Sequence, residues 1–394
     1  MYLEDQRIPV TLLTGFFGAG KTTLLNHLIR DPEAGRIAVI MNEFGDVALD
    51  HDLIEEATEE TVLLQSGRLC CAILGDLAKT LSRLIEKCSA GTIQFDRVVI
   101  ETSGIADPGP IVHTLATDYT IAQAFRLDGV VTLADAATGM KTLDHQFEAV
   151  HQVAMADVLI LSKTDLVETF DLSRFEKRLE GINASARRIR ADQGRVPVGV
   201  LFGLSAMRTD VSTSDVDNWL GLAPELAQPD PLTGLSGFAA KPAAPLTFKP
   251  AARAEHAHHD HRINSASIEV PDPIPANVFD FWLDALIALK GPNILRMKGI
   301  LHVEGLQYPF VFHGVQHIFD APVPLKNWSG EDSTSRVVVI ARDMSEADLK
   351  ASLDMLLMRP ADSTVSDDLP GGMMVETIDM PFCPIPPCER KPPE

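Results

Sequence analysis

The run Gly15-Phe16-Phe17-Gly18-Ala19-Gly20-Lys21-Thr22 constrains this chain more than any other segment. It matches G-x-x-x-x-G-K-[ST]. It also sits between an apolar run, Ile8–Leu13, and an amphipathic one, Lys21–Ile29. Strand, glycine-rich turn and helix, in that order, are the parts of a phosphate cradle. The glycines let backbone N–H groups turn toward a β-phosphate without Cβ clashes. Lys21 can reach the β- and γ-phosphates, and Thr22 can offer its hydroxyl to Mg²⁺. The helix that opens there presents unpaired N–H groups and a dipole that favour an anion. The competing reading is a plain glycine-rich turn before a helix.

The surrounding pattern agrees with a cradle. Short apolar runs predict strands at Ile8–Leu13, Arg36–Met41, Thr61–Leu64, Arg97–Ile100, Gly129–Leu133, Val158–Leu161 and Val196–Phe202. Helical spacing is found between them, as in Ala72–Glu86 with Leu77, Leu81 and Leu84 on one face. Nearly continuous apolar strands alternating with helices predict a parallel α/β sheet covered on both faces, the P-loop NTPase type. At 394 residues the chain is long enough for two domains. Proline, alanine and glycine dominate from Leu222 to Pro250. Beyond them a new pattern predicts strands at Ser265–Val270, Ile294–Val303, Tyr308–Val315 and Ser335–Ile340, with helices at Pro275–Ala288 and Ser345–Leu357. The expected organisation is a nucleotide domain over 1–222, a flexible linker over 223–261, a smaller α+β domain over 262–359, and a disordered tail over 360–394.

Two further segments point to the nucleotide. Arg97-Val98-Val99-Ile100-Glu101-Thr102-Ser103-Gly104 is an apolar strand ending in a carboxylate. Glu101 can hold a water on Mg²⁺, and Gly104 allows the backbone to approach a γ-phosphate, so the following segment can sense hydrolysis. Otherwise Glu101 is a solvated strand end. Val158–Leu161 runs into Ser162-Lys163-Thr164-Asp165. An Asp there accepts from guanine N1–H and the exocyclic amine, a donor pair that adenine lacks, while the Lys163 stem can stack on the base. Asp165 would then select GTP over ATP. The alternatives are a helix cap at Thr164 or Asp165 and an ATP-using enzyme. Ser205-Ala206, after the last predicted strand, is a weak candidate for a further base-contact loop, and a plain loop is the favoured reading there. The nucleotide contacts expected are Gly15, Gly18, Ala19, Gly20, Lys21, Thr22, Thr23, Gly104, Lys163 and Asp165.

Taken together, Thr14 through Asn26, Asn42-Glu43-Phe44-Gly45, Glu101 through Pro108 and Ser162-Lys163-Thr164-Asp165 resemble the CobW-like metallochaperone GTPases, a branch of the P-loop GTPases. Gly299-Ile300-Leu301 and Gly314-Val315-Gln316-His317 are similar to that family's C-terminal domain. The resemblance implies a slow, switch-like GTPase, using GTP and Mg²⁺, that handles a transition metal and delivers it to a client metalloprotein. Zn is the first candidate, with Co, Fe or Ni as others. It also implies a ferredoxin-like second domain, a switch segment at Glu43, and a homodimer as one possible assembly. On this reading the catalytic set is Lys21, Glu43 and Glu101. The chain departs from the family at Gly67-Arg68-Leu69-Cys70-Cys71, where C-x-C-C is usual. Arg68 is a permanent cation that cannot ligate metal, and a closed site normally takes three or four ligands. Three readings stay open: Cys70 and Cys71 bind metal with Glu43; the site is lost and the thiols are apolar-like core; or Arg68 stands near Glu43 as a fixed charge. A GTP-regulated assembly or activator factor without tight metal is the alternative function.

His256, His258, His259 and His261 form a short tract whose imidazoles suit a labile transition-metal site, or else a merely solvated linker. Cys383 and Cys388 lie among prolines with no further ligand nearby. A net charge of −21 argues against nucleic acid as a partner. No apolar run approaches the ~20 residues that span a bilayer. An odd count of five cysteines and an N-terminus unlike a signal peptide make a reducing, cytoplasmic setting the expectation.

Overall fold

The computed structural model describes residues 5, 7–42, 61–66, 73–207, 211, 213–221, 262–315, 318–319, 322–326, 328 and 332–359. Its first half runs β1 (Ile8–Gly15), α1 (Lys21–Arg30), β2 (Ile37–Asn42), β3 (Thr61–Ser66), α2 (Ile73–Ser89), β4 (Arg97–Glu101), α3 (Gly109–Thr117), α4 (Tyr119–Ala124), β5 (Phe125–Asp135), α5 (Gly139–His145), α6 (Phe147–Ala154), β6 (Val158–Ser162), α7 (Thr169–Ile182), β7 (Arg187–Arg190) and α8 (Thr213–Leu220). The seven strands form one sheet in the order β3-β2-β4-β1-β5-β6-β7, and every pair in it is parallel. The order follows from the pattern: parallel strands need crossover helices, and the sheet is then buried on both faces. Leu12, Ile40 and Ile100 pack beneath Leu77, Leu81 and Leu84 of α2. Their alternates Leu13, Val39 and Val99 pack on Leu24, Leu25 and Leu28 of α1.

The last strand is not where the apolar run Val196–Phe202 predicts it. Pro197 opens a short 3-10 turn over Val198–Val200, and its missing N–H could not have served a ladder. The apolar residues there, Val198, Leu201 and Leu204, fill the core beside α1 instead. The edge position belongs to the arginine-rich β7, none of whose residues is buried. Charge on an edge strand blocks pairing with other chains, and it also hides the strand from an apolar search.

The second half adds β8 (Ile263–Val270), α9 (Ala276–Lys290), β9 (Ile294–Leu301), β10 (Phe310–Val315), β11 (Ile318–Phe319), β12 (Val323–Pro324), β13 (Ser335–Arg342) and α10 (Glu346–Asp354). These strands form a separate antiparallel sheet, β11-β10-β9-β13-β8, with β12 on β10. Helices α9 and α10 share one face of it, where Phe279, Trp282, Leu349 and Leu353 meet Met297, Phe312, Val337 and Val339. This is the α+β layer expected. Leaving out the two-residue strands β11 and β12, its chain order is β-α-β-β-β-α, whereas a ferredoxin-like unit runs β-α-β-β-α-β, because α10 follows the last long strand. The opposite face carries Arg296, Lys298 and Ile300 on β9. It is fully buried too, because it packs toward the first sheet and α8. Among the described residues no helix is long and apolar enough to cross a membrane.

Candidate functional site

Backbone conformation shapes the cradle. Gly15, Gly18 and Gly20 have φ of +138°, +73° and +97°, values that L side chains rarely adopt. At Gly15 a Cβ would stand 2.5 Å from the Leu133 carbonyl oxygen of β5. The loop therefore passes close over β5 and delivers Gly20 to the start of α1. That helix has no acidic residue in its first turn and carries His27 and Arg30 in its last, which leaves the positive end of its dipole for an anion. Lys21 is buried, and its Nζ donates to the carbonyls of Gly15 (2.7 Å) and Phe16 (3.2 Å). Its ammonium is thereby held at the mouth of the loop.

Thr22 and Glu101 meet: Thr22 Oγ1 donates to Glu101 Oε1 at 3.2 Å. They lie 79 positions apart in sequence and converge because β4 is hydrogen-bonded beside β1. Thr102 locks the same junction, its hydroxyl donating to Thr14 Oγ1 at 2.8 Å. A hydroxyl beside a carboxylate is a hard-oxygen donor set that fits Mg²⁺. Gly104 is packed against the cradle, since a Cβ there would stand 2.6 Å from the Phe17 backbone nitrogen.

At the end of β6, Ser162 Oγ donates to the carbonyl of Ala19 inside the cradle (2.7 Å). The serine of the S-K-T-D run thus ties that run to the phosphate loop. Lys163 follows with φ +55°, and its Nζ donates to Asp135 Oδ2 at 2.6 Å. Asp165 is exposed, within the single 3-10 turn Thr164–Leu166. The structure therefore gathers the cradle, Glu101, Gly104, Lys163 and Asp165 at the carboxyl ends of the parallel strands, where open α/β sheets bind ligands.

Sequence reading misses Asp135. It ends the apolar strand β5 and accepts from the N–H groups of Ala137 (2.8 Å) and Thr138 (3.2 Å) as well as from Lys163. The signal was available, since it is the same carboxylate-after-apolar-strand pattern that marks Glu101. The weak base-contact reading of Ser205-Ala206 fails, and the favoured plain loop stands. Leu204 packs on Gly129, and Ser205 lines a cavity with Asp128 and Asp157, at the opposite ends of the strands. The error follows from the misplaced last strand. The loop that does follow β7 is Ala191–Arg195, and at Gly194 (φ +81°) a Cβ would stand 2.9 Å from Thr23 Cγ2. Glu43, Arg68, Cys70, Cys71, the four histidines of 256–261, the linker and the tail lie outside the described residues. Among the described residues no group of three or more His, Cys, Asp and Glu could hold a metal ion.

Parallel sheet, cradle, strand-end carboxylate and S-K-T-D loop define a P-loop nucleotide-binding protein of the GTPase class. Comparison narrows this. Residues 9–190 match the CobW/HypB/UreG nucleotide-binding domain, and residues 263–357 match the C-terminal domain of the cobalamin synthesis protein CobW. The zinc chaperone YjiA of Escherichia coli K12 is 31% identical over 348 residues, which cover 88% of this chain and 97% of that one. The zinc-regulated GTPase metalloprotein activator 1 of Schizosaccharomyces pombe is 38% identical over 196 residues, 48% of this chain and 47% of that one. The crystal structure of zinc-bound YjiA GTPase from E. coli superposes with a TM-score of 0.64 at 28% identity, over 89% of this chain and 99% of that one. A zinc-bound triple mutant of that GTPase, with one glutamate and two cysteines changed to alanine, superposes with a TM-score of 0.65. The chain belongs to the CobW family of P-loop GTPases.

Proposed function

We propose that this protein is a GTP-hydrolysing metallochaperone that carries zinc to a client metalloprotein, with the nucleotide state acting as the switch. The observation that carries the reading is the convergence of cradle, Thr22–Glu101 pair and Ser162–Asp165 loop at one end of the sheet. Similarity to a zinc chaperone over 88% of the chain supplies the cargo. In this reading residues 1–222 are the GTPase domain and 262–359 the C-terminal domain. Lys21 neutralises charge on the β- and γ-phosphates, and backbone N–H groups of residues 15–23 orient them. Asp165 accepts from guanine, while Lys163, fixed by Asp135, lies along the base. Thr22 and Glu101 would hold Mg²⁺, which would supply positive charge to offset that of the phosphates. Gly104 and Glu43 belong to the segments that respond when the γ-phosphate leaves. Turnover is slow, since no arginine finger is assigned among the cradle residues.

Arg68 favours a second reading, a GTP-regulated activator without a tight internal site of its own. The relative YjiA is zinc-bound even with a glutamate and two cysteines replaced, the same residue types as Glu43, Cys70 and Cys71. Zinc carriage therefore need not rest on that trio. Zinc bound per purified chain, measured with GTP and without nucleotide, separates the two. Stoichiometric, nucleotide-sensitive zinc supports the chaperone, and absence of zinc in both states overturns it. Removing residues 255–262 without changing zinc binding would exclude the histidine tract as a ligand.

A further inference from the structure

Gln152 belongs to no motif, yet it is 1% exposed and grips the segment after β4. Its Nε2 donates to the carbonyls of Gly104 (3.1 Å) and Ala106 (3.0 Å). Beside it, His151 Nδ1 stands 3.2 Å from Asp107 Oδ1. Burial works against the charge on Asp107, but His151 and the Gly109 N–H hold its carboxyl below the usual range. Two neighbouring residues of one helix thus hold three of the four residues Gly104–Asp107.

The same carboxyl end of α6, a few residues on, is held by the second sheet. The Met155 carbonyl accepts from the Arg296 guanidinium. Asp157, just beyond the helix, is 2.6 Å from both Arg296 and Lys298 of β9. Side bonds fix the helix against β5 as well: Thr132 Oγ1 donates to the Gln152 carbonyl (3.0 Å), and the Val130 N–H donates to Asp157 Oδ2 (2.9 Å). Residues 151–157, the carboxyl half of this eight-residue helix and its exit, are so held on both sides and have little slack.

We propose that Gln152 is a positioning residue for the γ-phosphate-sensing segment, and that the carboxyl end of α6 is the lever by which that segment and the second sheet report their states to each other. This rests on the reading of Gly104 given above. A Gly104 peptide that moves toward a phosphate must either leave the Gln152 amide or draw α6 with it. Gln152 Oε1 is buried without a hydrogen-bond partner, a condition that costs free energy and that a second arrangement of the segment can relieve. The coupling is reciprocal by thermodynamic necessity, so a change at β9 must also reach the nucleotide.

The experiment uses the full chain with a non-hydrolysable GTP analogue and with GDP. Hydrogen exchange across Ile294–Leu301 and the ratio of the two nucleotide affinities are read in wild type, Gln152→Met and Lys298→Met. Wild type is expected to show different protection of Ile294–Leu301 with the two nucleotides. Gln152→Met is expected to bind both but lose that difference, with the affinity ratio shifted about fivefold or more. Lys298→Met, remote from the nucleotide, is expected to shift the ratio too. It also keeps the test alive if the Gln152 variant does not fold. A Gln152→Met chain with the full wild-type difference, or a Lys298→Met chain with the wild-type ratio, overturns the lever. A wild-type chain that binds neither nucleotide overturns the site reading, and the lever with it.

Discussion

Strand β6 carries a carboxylate–cation cluster at each end, and the two are built differently. At the carboxyl end Lys163 pairs with Asp135, the lysine side chain 39% exposed and the aspartate 8%. At the amino end Asp157 pairs with Arg296 and Lys298, and all three side chains are 5% exposed or less. A half-exposed pair is weak and can exchange partners. A fully buried one gains little net stability, since desolvation offsets its attraction, but it is costly to break, because removing one member strands a charge in the core. The first arrangement suits a site that must admit a ligand. The second suits a joint between two sheets.

Asp157→Ala is expected to have the largest effect. It leaves Arg296 and Lys298 buried without their anion, and a loss of about 3–5 kcal/mol in urea unfolding is expected. A loss below ~1 kcal/mol would mean that the joint is not buried in solution. At the other end, Lys21→Ala removes the charge at the cradle mouth, and nucleotide affinity should fall about 10- to 100-fold, the scale of charged hydrogen bonds, in a fluorescent-nucleotide titration. Asp165→Ala should reduce the preference for GTP over ATP by a similar factor in competition, while leaving ATP affinity near its starting value.

The smallest effect separates the joint from an ordinary salt bridge. Burial pushes Lys298 down to about 8 despite the pull of Asp157. For Asp157, burial favours the neutral acid, but the two cations overcome it and hold its pKa below the usual carboxylate range. Between about pH 8 and the unfolded lysine value of 10.5, the unfolded chain binds more protons than the folded one. Stability should therefore gain from Lys298 as pH rises through that window. Comparing urea midpoints at pH 7.5 and about 9.5 checks the sign: wild type should gain on Lys298→Met. Parallel shifts in both would remove Lys298 from the account. The Asp157 contribution runs the other way, being present above the unfolded value of 3.8 and lost as pH falls below it.

The contrast between the ends also explains what sequence reading could reach. The cradle, Glu101 and Ser162-Lys163-Thr164-Asp165 are legible because each is a local run whose residue types are dictated by backbone conformation or by the ligand. The parallel sheet is legible from its apolar strands. Strand β7 is not, because Arg187-Arg188-Ile189-Arg190 sits at an edge and needs no apolar run. The apolar run Val196–Phe202 imitates the missing strand, so the loop that does follow β7, Ala191–Arg195, is not legible either. The amino-end joint leaves no local trace: Arg296 lies 139 positions from Asp157, and an arginine and a lysine inside a strand read as surface until the second sheet is known to bury that face. Gln152 is hidden for the same reason, since its partners are backbone carbonyls more than 40 positions away.

The central claim is that nucleotide at the carboxyl ends of the strands governs metal held by the same chain. Zinc titration of the full-length protein, loaded with Mg²⁺ and either a non-hydrolysable GTP analogue or GDP, tests it most directly. Two zinc affinities that differ by about fivefold or more between the nucleotide states are the result expected of a switch. Indistinguishable affinities, with both nucleotides demonstrably bound, would contradict it.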